Sequence, residues 1–198
     1  KVEKFQVFAF KQNNGYKKEI IDINFKGKEI INCSMMSTSN DKVQLVGFYS
    51  SVRENGKANR ELKGVFNATI DINTNINDNL KFNEFDYATK VKLLGERKAK
   101  KGKDVKPYYK IHTIIEKNDG GLIVLSEERF IYVGQTQGIG PLGLTPITYY
   151  TNEMIVTSLK PDGSLEWSNV VAKDQNATAT VASLGMFGTG GSGGFNVA

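Results

Sequence analysis

Asn40-Asp41-Lys42-Val43-Gln44-Leu45-Val46-Gly47-Phe48-Tyr49-Ser50 returns later in the chain as Asn118-Asp119-Gly120-Gly121-Leu122-Ile123-Val124-Leu125-Ser126-Glu127-Glu128. A second pair follows in each unit: Gly64-Val65-Phe66-Asn67-Ala68-Thr69-Ile70-Asp71 matches Glu153-Met154-Ile155-Val156-Thr157-Ser158-Leu159-Lys160. A third copy of that half stands at the N-terminus, where Phe5 to Phe10 and then Lys11 to Tyr16 parallel Ile155 to Leu159 and then Lys160 to Ser164. Recurrence at a fixed period marks a repeat architecture.

Outward from these segments, alternation and β-branched or aromatic content between turn residues predict strands. They cover Phe5 to Phe10, Lys18 to Ile23, Glu29 to Ser37, Val43 to Ser50, Gly64 to Asp71, Leu80 to Phe85, Tyr108 to Glu116, Gly121 to Phe130, Met154 to Leu159, Leu165 to Val171 and Thr178 to Leu184. Asn118-Asp119-Gly120 and Pro161-Asp162-Gly163 are hairpin turns, because Asn, Asp and Gly tolerate positive φ. Phe85 to Lys101 breaks the β pattern and predicts a short helix that runs into a basic loop.

The strands fall into units of four, giving an all-β chain read as a partial β-propeller of four-stranded antiparallel blades. A β-sandwich is the alternative. The expected organisation is a half blade over 1–28, a blade over 29–85, a helical and basic insert over 86–107, a blade over 108–175, and the start of a further blade with a Gly-rich tail over 176–198. About three blades do not close a ring of roughly four to eight. Neighbouring blades cover one another's faces, so further blades or another chain are expected to complete the object.

Composition narrows the function classes. The net charge of +5 is equalled by the stretch Arg97 to Lys106, with six basic residues and one acid. The single cysteine, Cys33, excludes an internal disulfide framework, and the single histidine, His112, cannot build a multi-histidine metal site. No run approaches the roughly 20 apolar residues of a spanning helix. The chain opens on Lys1 rather than Met, so removal of an upstream segment is expected.

The residues Asn118-Asp119-Gly120-Gly121-Leu122-Ile123-Val124, Asn152-Glu153-Met154-Ile155-Val156 and Asp162-Gly163-Ser164-Leu165-Glu166-Trp167 resemble repeats of β-propeller-like cell-surface and secreted proteins of Bacteroidetes-type bacteria. The Lys100-Lys101-Gly102-Lys103 insert before Pro107-Tyr108-Tyr109 is similar to that group as well. The resemblance covers about Glu29 to Gln175. The first full unit departs from it, with Asp41-Lys42 in place of Asp-Gly-Gly and no following Trp. It implies an extracytoplasmic location and a fold, and no catalytic residue.

Each candidate constellation competes with a plainer reading. Lys98, Lys100, Lys101 and Lys103 are candidate contacts to an anionic partner, but a solvated mobile loop is favoured, since no aromatic lies within the run to stack a base. Glu127 and Glu128 are adjacent in a strand, so they point to opposite faces and form no carboxylate pair. Asp71-Ile72-Asn73-Thr74-Asn75 is a polar turn rather than a calcium loop, which needs Gly at its sixth and Glu at its twelfth position. Cys33 is a small buried hydrophobe. The segment Val133 to Ile147, bracketed by aromatics, is read as a long loop; long loops on a rigid scaffold carry recognition. Tyr132, Gln135, Gln137, Tyr149 and Tyr150 are therefore the candidate contacts to a protein or surface-glycan partner. Trp167 is expected to be buried against a neighbouring blade, on the face of Leu165 and Val171.

Together these readings predict a noncatalytic binding or scaffolding module without cofactor or metal. The alternatives are a structural subunit of a larger surface assembly and, less favoured, a propeller-type glycan-active enzyme. Nucleic acid is not an expected partner.

Overall fold

The computed structural model describes residues 5–25, 27–39, 42–52, 60–74, 76–138 and 142–184. The chain is all-β, with antiparallel sheets and one short helical insert. Strands β1 (Phe5–Phe10) and β2 (Lys18–Ile23) form a hairpin. Strands β3 (Lys28–Ser37), β4 (Lys42–Ser51), β5 (Gly64–Asp71) and β6 (Ile76–Glu84) form a four-stranded sheet in chain order. After helices α1 (Tyr87–Leu94) and α2 (Glu96–Lys100) comes a second meander of β7 (Tyr109–Glu116), β8 (Leu122–Val133), β9 (Leu142–Leu159) and β10 (Leu165–Val171), again in chain order. The last strand, β11 (Gln175–Leu184), pairs with the N-terminal half of β9. Neither sheet closes on itself among the described residues.

Alternation along the strands decides which layers meet. In β4, Val43, Leu45 and Tyr49 join one apolar cluster while Val46 and Phe48 join another. The first cluster meets the hairpin, through Ile21, Ile23 and Phe25, with Phe5, Val7 and Ala9 beside them. Edge-to-face rings at 5.1 Å, Phe5 on Phe25 and Phe25 on Phe66, tie these layers. The second cluster joins Val46, Phe48 and Val65 to Tyr109, Leu122, Val124, Ile155 and Leu159 of the second meander. The order of layers is hairpin, first sheet, second sheet, and the first sheet is covered on both faces. Close approach demands Gly47, where an added Cβ would lie 2.1 Å from the Asn32 carbonyl oxygen and 2.5 Å from the Phe66 ring.

Polar contacts fix the register between the sheets. Gly163, at φ 77°, closes the β9–β10 turn, and its carbonyl accepts from Asn83 Nδ2 at 2.9 Å. Asn83 Oδ1 in turn accepts from the Leu165 amide at 2.8 Å. Asn32 Nδ2 donates to the Tyr109 carbonyl at 2.8 Å. Between the layers, Gln44 Oε1 accepts from Asn67 Nδ2 and Thr69 Oγ1, each at 2.9 Å, so these buried polar groups are satisfied.

Two expectations change here. The cations of the basic stretch are exposed as expected, but the stretch is not a bare loop. Asp86 caps α1, accepting from the Thr89 amide at 2.7 Å. Gly95 at φ 80° breaks the helix, and α2 follows with Ala99 buried. Val105 is buried as well, and its amide and carbonyl exchange bonds with those of Leu62 at 3.0 and 2.7 Å. Ala99 and Val105 are the apolar residues of the charge run that join it to the body. Nor does the final strand stand without a partner: ten residues of β11 pair in unbroken register with β9. The turn of Asp41 that was expected to match that of Asp119, and the tail 185–198, lie outside the described residues.

Candidate functional site

The segment read as a long loop is an arm of sheet. β8 continues to Val133 and β9 begins at Leu142, with Phe130↔Tyr150, Ile131↔Tyr149, Tyr132↔Thr148 and Val133↔Ile147 in register. β11 adds a third strand. Pairing runs on toward the tip: the Gly134 amide donates to the Pro146 carbonyl at 2.8 Å, and Gln137 and Leu144 exchange backbone bonds at 2.8 and 2.7 Å. Glycines and prolines punctuate the sequence without ending the ladder, since the Pro146 carbonyl still accepts. At about 3.3 Å per residue, the 18 residues of β9 make a strand of about 60 Å.

The arm collects the candidate contact residues. Phe130 and Tyr150 stack at 4.7 Å and 11°, with Tyr108 packed on Phe130 at 5.5 Å. Tyr132 and Thr148 follow on this face, and the Thr148 hydroxyl meets that of Thr178 at 2.9 Å. Ile131, Val133, Ile147 and Tyr149 occupy the opposite face with Ala177 and Ala179. Ile131, Tyr132, Val133 and Tyr149 are all exposed. Gln135 and Gln137 lie exposed beyond the last β8 residue. Sequence reasoning missed a signal that was present: in a chain 24% charged, no Asp, Glu, Lys or Arg occurs over 130–152 or over 175–198.

At the root of the arm, two buried glutamates flank a bulge in which Asn152 and Glu153 of β9 oppose Glu128 alone. Glu127 and Glu128 do point to opposite faces, yet both are buried. Glu127 is held by Lys173 and by Arg129, and the hydrogen bond from Lys173 does most to keep its carboxyl below the ordinary glutamate range against the opposing effect of burial. Glu128 accepts from Asn152 Nδ2 at 2.9 Å, with Lys106 Nζ at 3.5 Å. Glu128 also lines a small recess with Tyr109 and Glu153. Burial, then the charges of Glu128 and Glu153, push the Tyr109 hydroxyl up. His112, in a bulge of β7, lies with Nδ1 3.3 Å from Arg129 Nη2. These carboxylates are neutralised by cations and amides that fasten the arm to the body.

Some cations of the insert are paired. Lys100 pairs with Glu96 at 2.7 Å, and Lys90 with Asp104 at 3.0 Å. Arg97, Lys98, Lys101 and Lys103 border a shallow open recess beside Leu94. They belong to a different element from Tyr132 and Tyr149 of the arm. Asp71 forms the expected turn, accepting from the amides of Thr74 and Asn73 at 3.2 and 2.8 Å, which lowers its carboxyl pKa. Burial pushes the Cys33 thiol up to about 11, so it carries no thiolate at neutral pH. No group of three or more His, Cys, Asp or Glu able to hold a metal occurs among the described residues, and no helix there is long and apolar enough to cross a membrane.

Trp167 corrects the sequence reading. It is 45% exposed. Glu166 is an extra residue in β10, because Leu165 pairs with Leu159 and Trp167 with the adjacent Ser158. That bulge turns Leu165 inward and Trp167 outward. Ile115 and Val171 are exposed on the same outer face. A scan against protein-family models, a search of curated proteins and a search of solved structures find no match to this chain.

Proposed function

We propose that this chain is a noncatalytic binding or scaffolding module, built as a segment of a β-propeller and working outside the cytoplasm. The observation that carries the reading is the arm: a three-stranded, charge-free β surface exposed on both faces and rooted at the ion pairs of the buried Glu127 carboxylate with Lys173 and Arg129. Support for the propeller element is the stacking of two four-stranded meanders with the same strand order, preceded by a two-stranded layer. The extracytoplasmic location rests on the resemblance of the Asp-Gly turns and Trp167 segment to surface and secreted propeller proteins. A structural subunit of a larger surface assembly is the second reading, favoured by the open outer face around Trp167.

Hydroxyl-radical footprinting of Tyr132 and Tyr149 tests the proposal. These tyrosines should be protected in intact cells that produce the protein and reactive in the purified chain. Equal reactivity in both would sink the reading of the arm as a contact surface.

A further inference from the structure

The helical insert sorts its cations into two groups. Lys90 pairs with Asp104 at 3.0 Å and Lys100 with Glu96 at 2.7 Å. Lys92 Nζ donates to Asn169 Oδ1 at 2.7 Å, and Lys106 Nζ stands 3.5 Å from Glu128. The side chains of Arg97, Lys98, Lys101 and Lys103 have no such partner among the described residues. These same four border one recess of about 490 Å³. The rest of its lining is Leu94, Gly95 and Glu96, and the Glu96 carboxylate is the one paired with Lys100. Backbone bonds gather the cluster. The Lys98 carbonyl accepts from the amides of Lys101 and Lys103 at 3.1 and 3.2 Å, and Gly102, at φ 65°, makes the turn between them. Within α2, Ala99 is buried while the four cations are exposed.

We propose that this recess binds a small molecule carrying two or more phosphate groups. Charge complementarity is the first argument. The acids of the insert are spent on the other cations, so these four repel one another across the recess, and an anion seated there relieves all of them at once. Size is the second argument. The recess falls within the roughly 300–1,000 Å³ of small-molecule sites. A ligand that small meets four cations only with dense charge, and a phosphate brings about −1.5 to −2 per group. The donors suit it as well: Arg97 offers a planar fork to a pair of phosphate oxygens, and each lysine offers a point charge with three rotatable donors. Larger polyanions find less here. No aromatic lines the recess, so the bases of a nucleic acid have nothing to stack on. A flat bilayer surface would bridge the hollow rather than fill it. The site is separate from the arm and goes beyond the reading of the arm as a contact surface.

Isothermal titration calorimetry of the complete 198-residue chain with inorganic tripolyphosphate tests the proposal. Saturable one-to-one binding is expected. The double substitution Arg97→Gln with Lys101→Gln should weaken it at least tenfold, about 1.4 kcal/mol, and Lys98→Gln with Lys103→Gln should do the same. Removing equal charge elsewhere, by Lys110→Gln with Lys160→Gln, should change the affinity by less than about twofold. All six positions are exposed, and far-ultraviolet dichroism checks that each variant is folded. Absence of saturable binding overturns the proposal. So does an equal loss in the distant pair, which would reduce the effect to the net charge of the chain. Capture of the chain by phosphatidylglycerol vesicles or single-stranded DNA through these four cations, with no binding of tripolyphosphate, would overturn it in favour of a membrane or a nucleic acid. Protection of Tyr132 and Tyr149 in cells is read independently, so either result can fail without the other.

Discussion

The two four-stranded meanders share strand order but differ in what covers them. The first sheet is a filling between two layers. Its central strands, β4 and β5, are buried at almost every position, with Phe66, Ala68 and Ile70 at 0% exposure. The second sheet has one covered face, with Leu122, Val124, Ile155 and Leu159 inside, and an open face bearing Ile115, Trp167 and Val171. Apolar residues occur on both faces of both sheets, so the difference lies in the neighbour and not in the pattern. A strand apolar on both faces predicts two neighbours; it does not say whether the same chain supplies them.

Substitutions should report that difference. Phe66→Ala empties a site packed by Phe25 and Phe82, and should cost about 3–5 kcal/mol in a denaturant melt. A loss below about 1 kcal/mol would break the claim that the first sheet is sealed on its hairpin side. On the other side, Leu62→Ala removes the fully buried partner of Val105 and should cost about 2–5 kcal/mol. For the same reason, excision of Lys98 to Lys103 should lower the melting temperature, since it removes buried Ala99 and pulls on Val105. An unchanged melt would restore the picture of a solvated loop.

Weaker effects lie between and outside the sheets. Asn83→Ala leaves the Leu165 amide and the Gly163 carbonyl without their partners, at about 1–3 kcal/mol. Wild-type-like stability would show that the β9–β10 turn is not held by Asn83. Glu127 on the open face gives a pH signature. Its folded pKa lies below its unfolded value, so its contribution is complete above the ordinary glutamate range and is lost as pH falls through the lower folded pKa. Glu127→Gln should therefore flatten the acid limb of the stability–pH curve, and an identical limb would contradict the ion pairs with Lys173 and Arg129. The smallest change belongs to Trp167→Ala in the dilute chain, below about 1 kcal/mol, where a buried tryptophan would cost about 3–5. A loss in that larger range would mean that the outer face is covered within one chain.

The β7–β8 and β9–β10 hairpins were legible because turn residues are local. Asp119 accepts from the Gly121 amide at 2.8 Å and Asp162 from that of Ser164 at 3.0 Å, contacts set within a few residues. The bulges were not legible. One extra residue at Glu166 reverses the face of Trp167, and nothing in Leu165-Glu166-Trp167 marks the insertion, which depends on the partner strand. The arm was lost for a different reason: its glycines and prolines read as loop punctuation, although an isolated proline in a ladder forfeits only its own amide. The missing charges over 130–152 were the better guide. In the insert, the burial of Ala99 and Val105 was hidden by the six cations around them.

The fluorescence of Trp167, the only tryptophan in the chain, measures the open face most directly. In the dilute protein its emission should sit at the long wavelengths of a hydrated indole and be quenched readily by acrylamide. Native emission at short wavelength, with weak quenching that persists on dilution, would contradict the account of a second sheet left uncovered by its own chain.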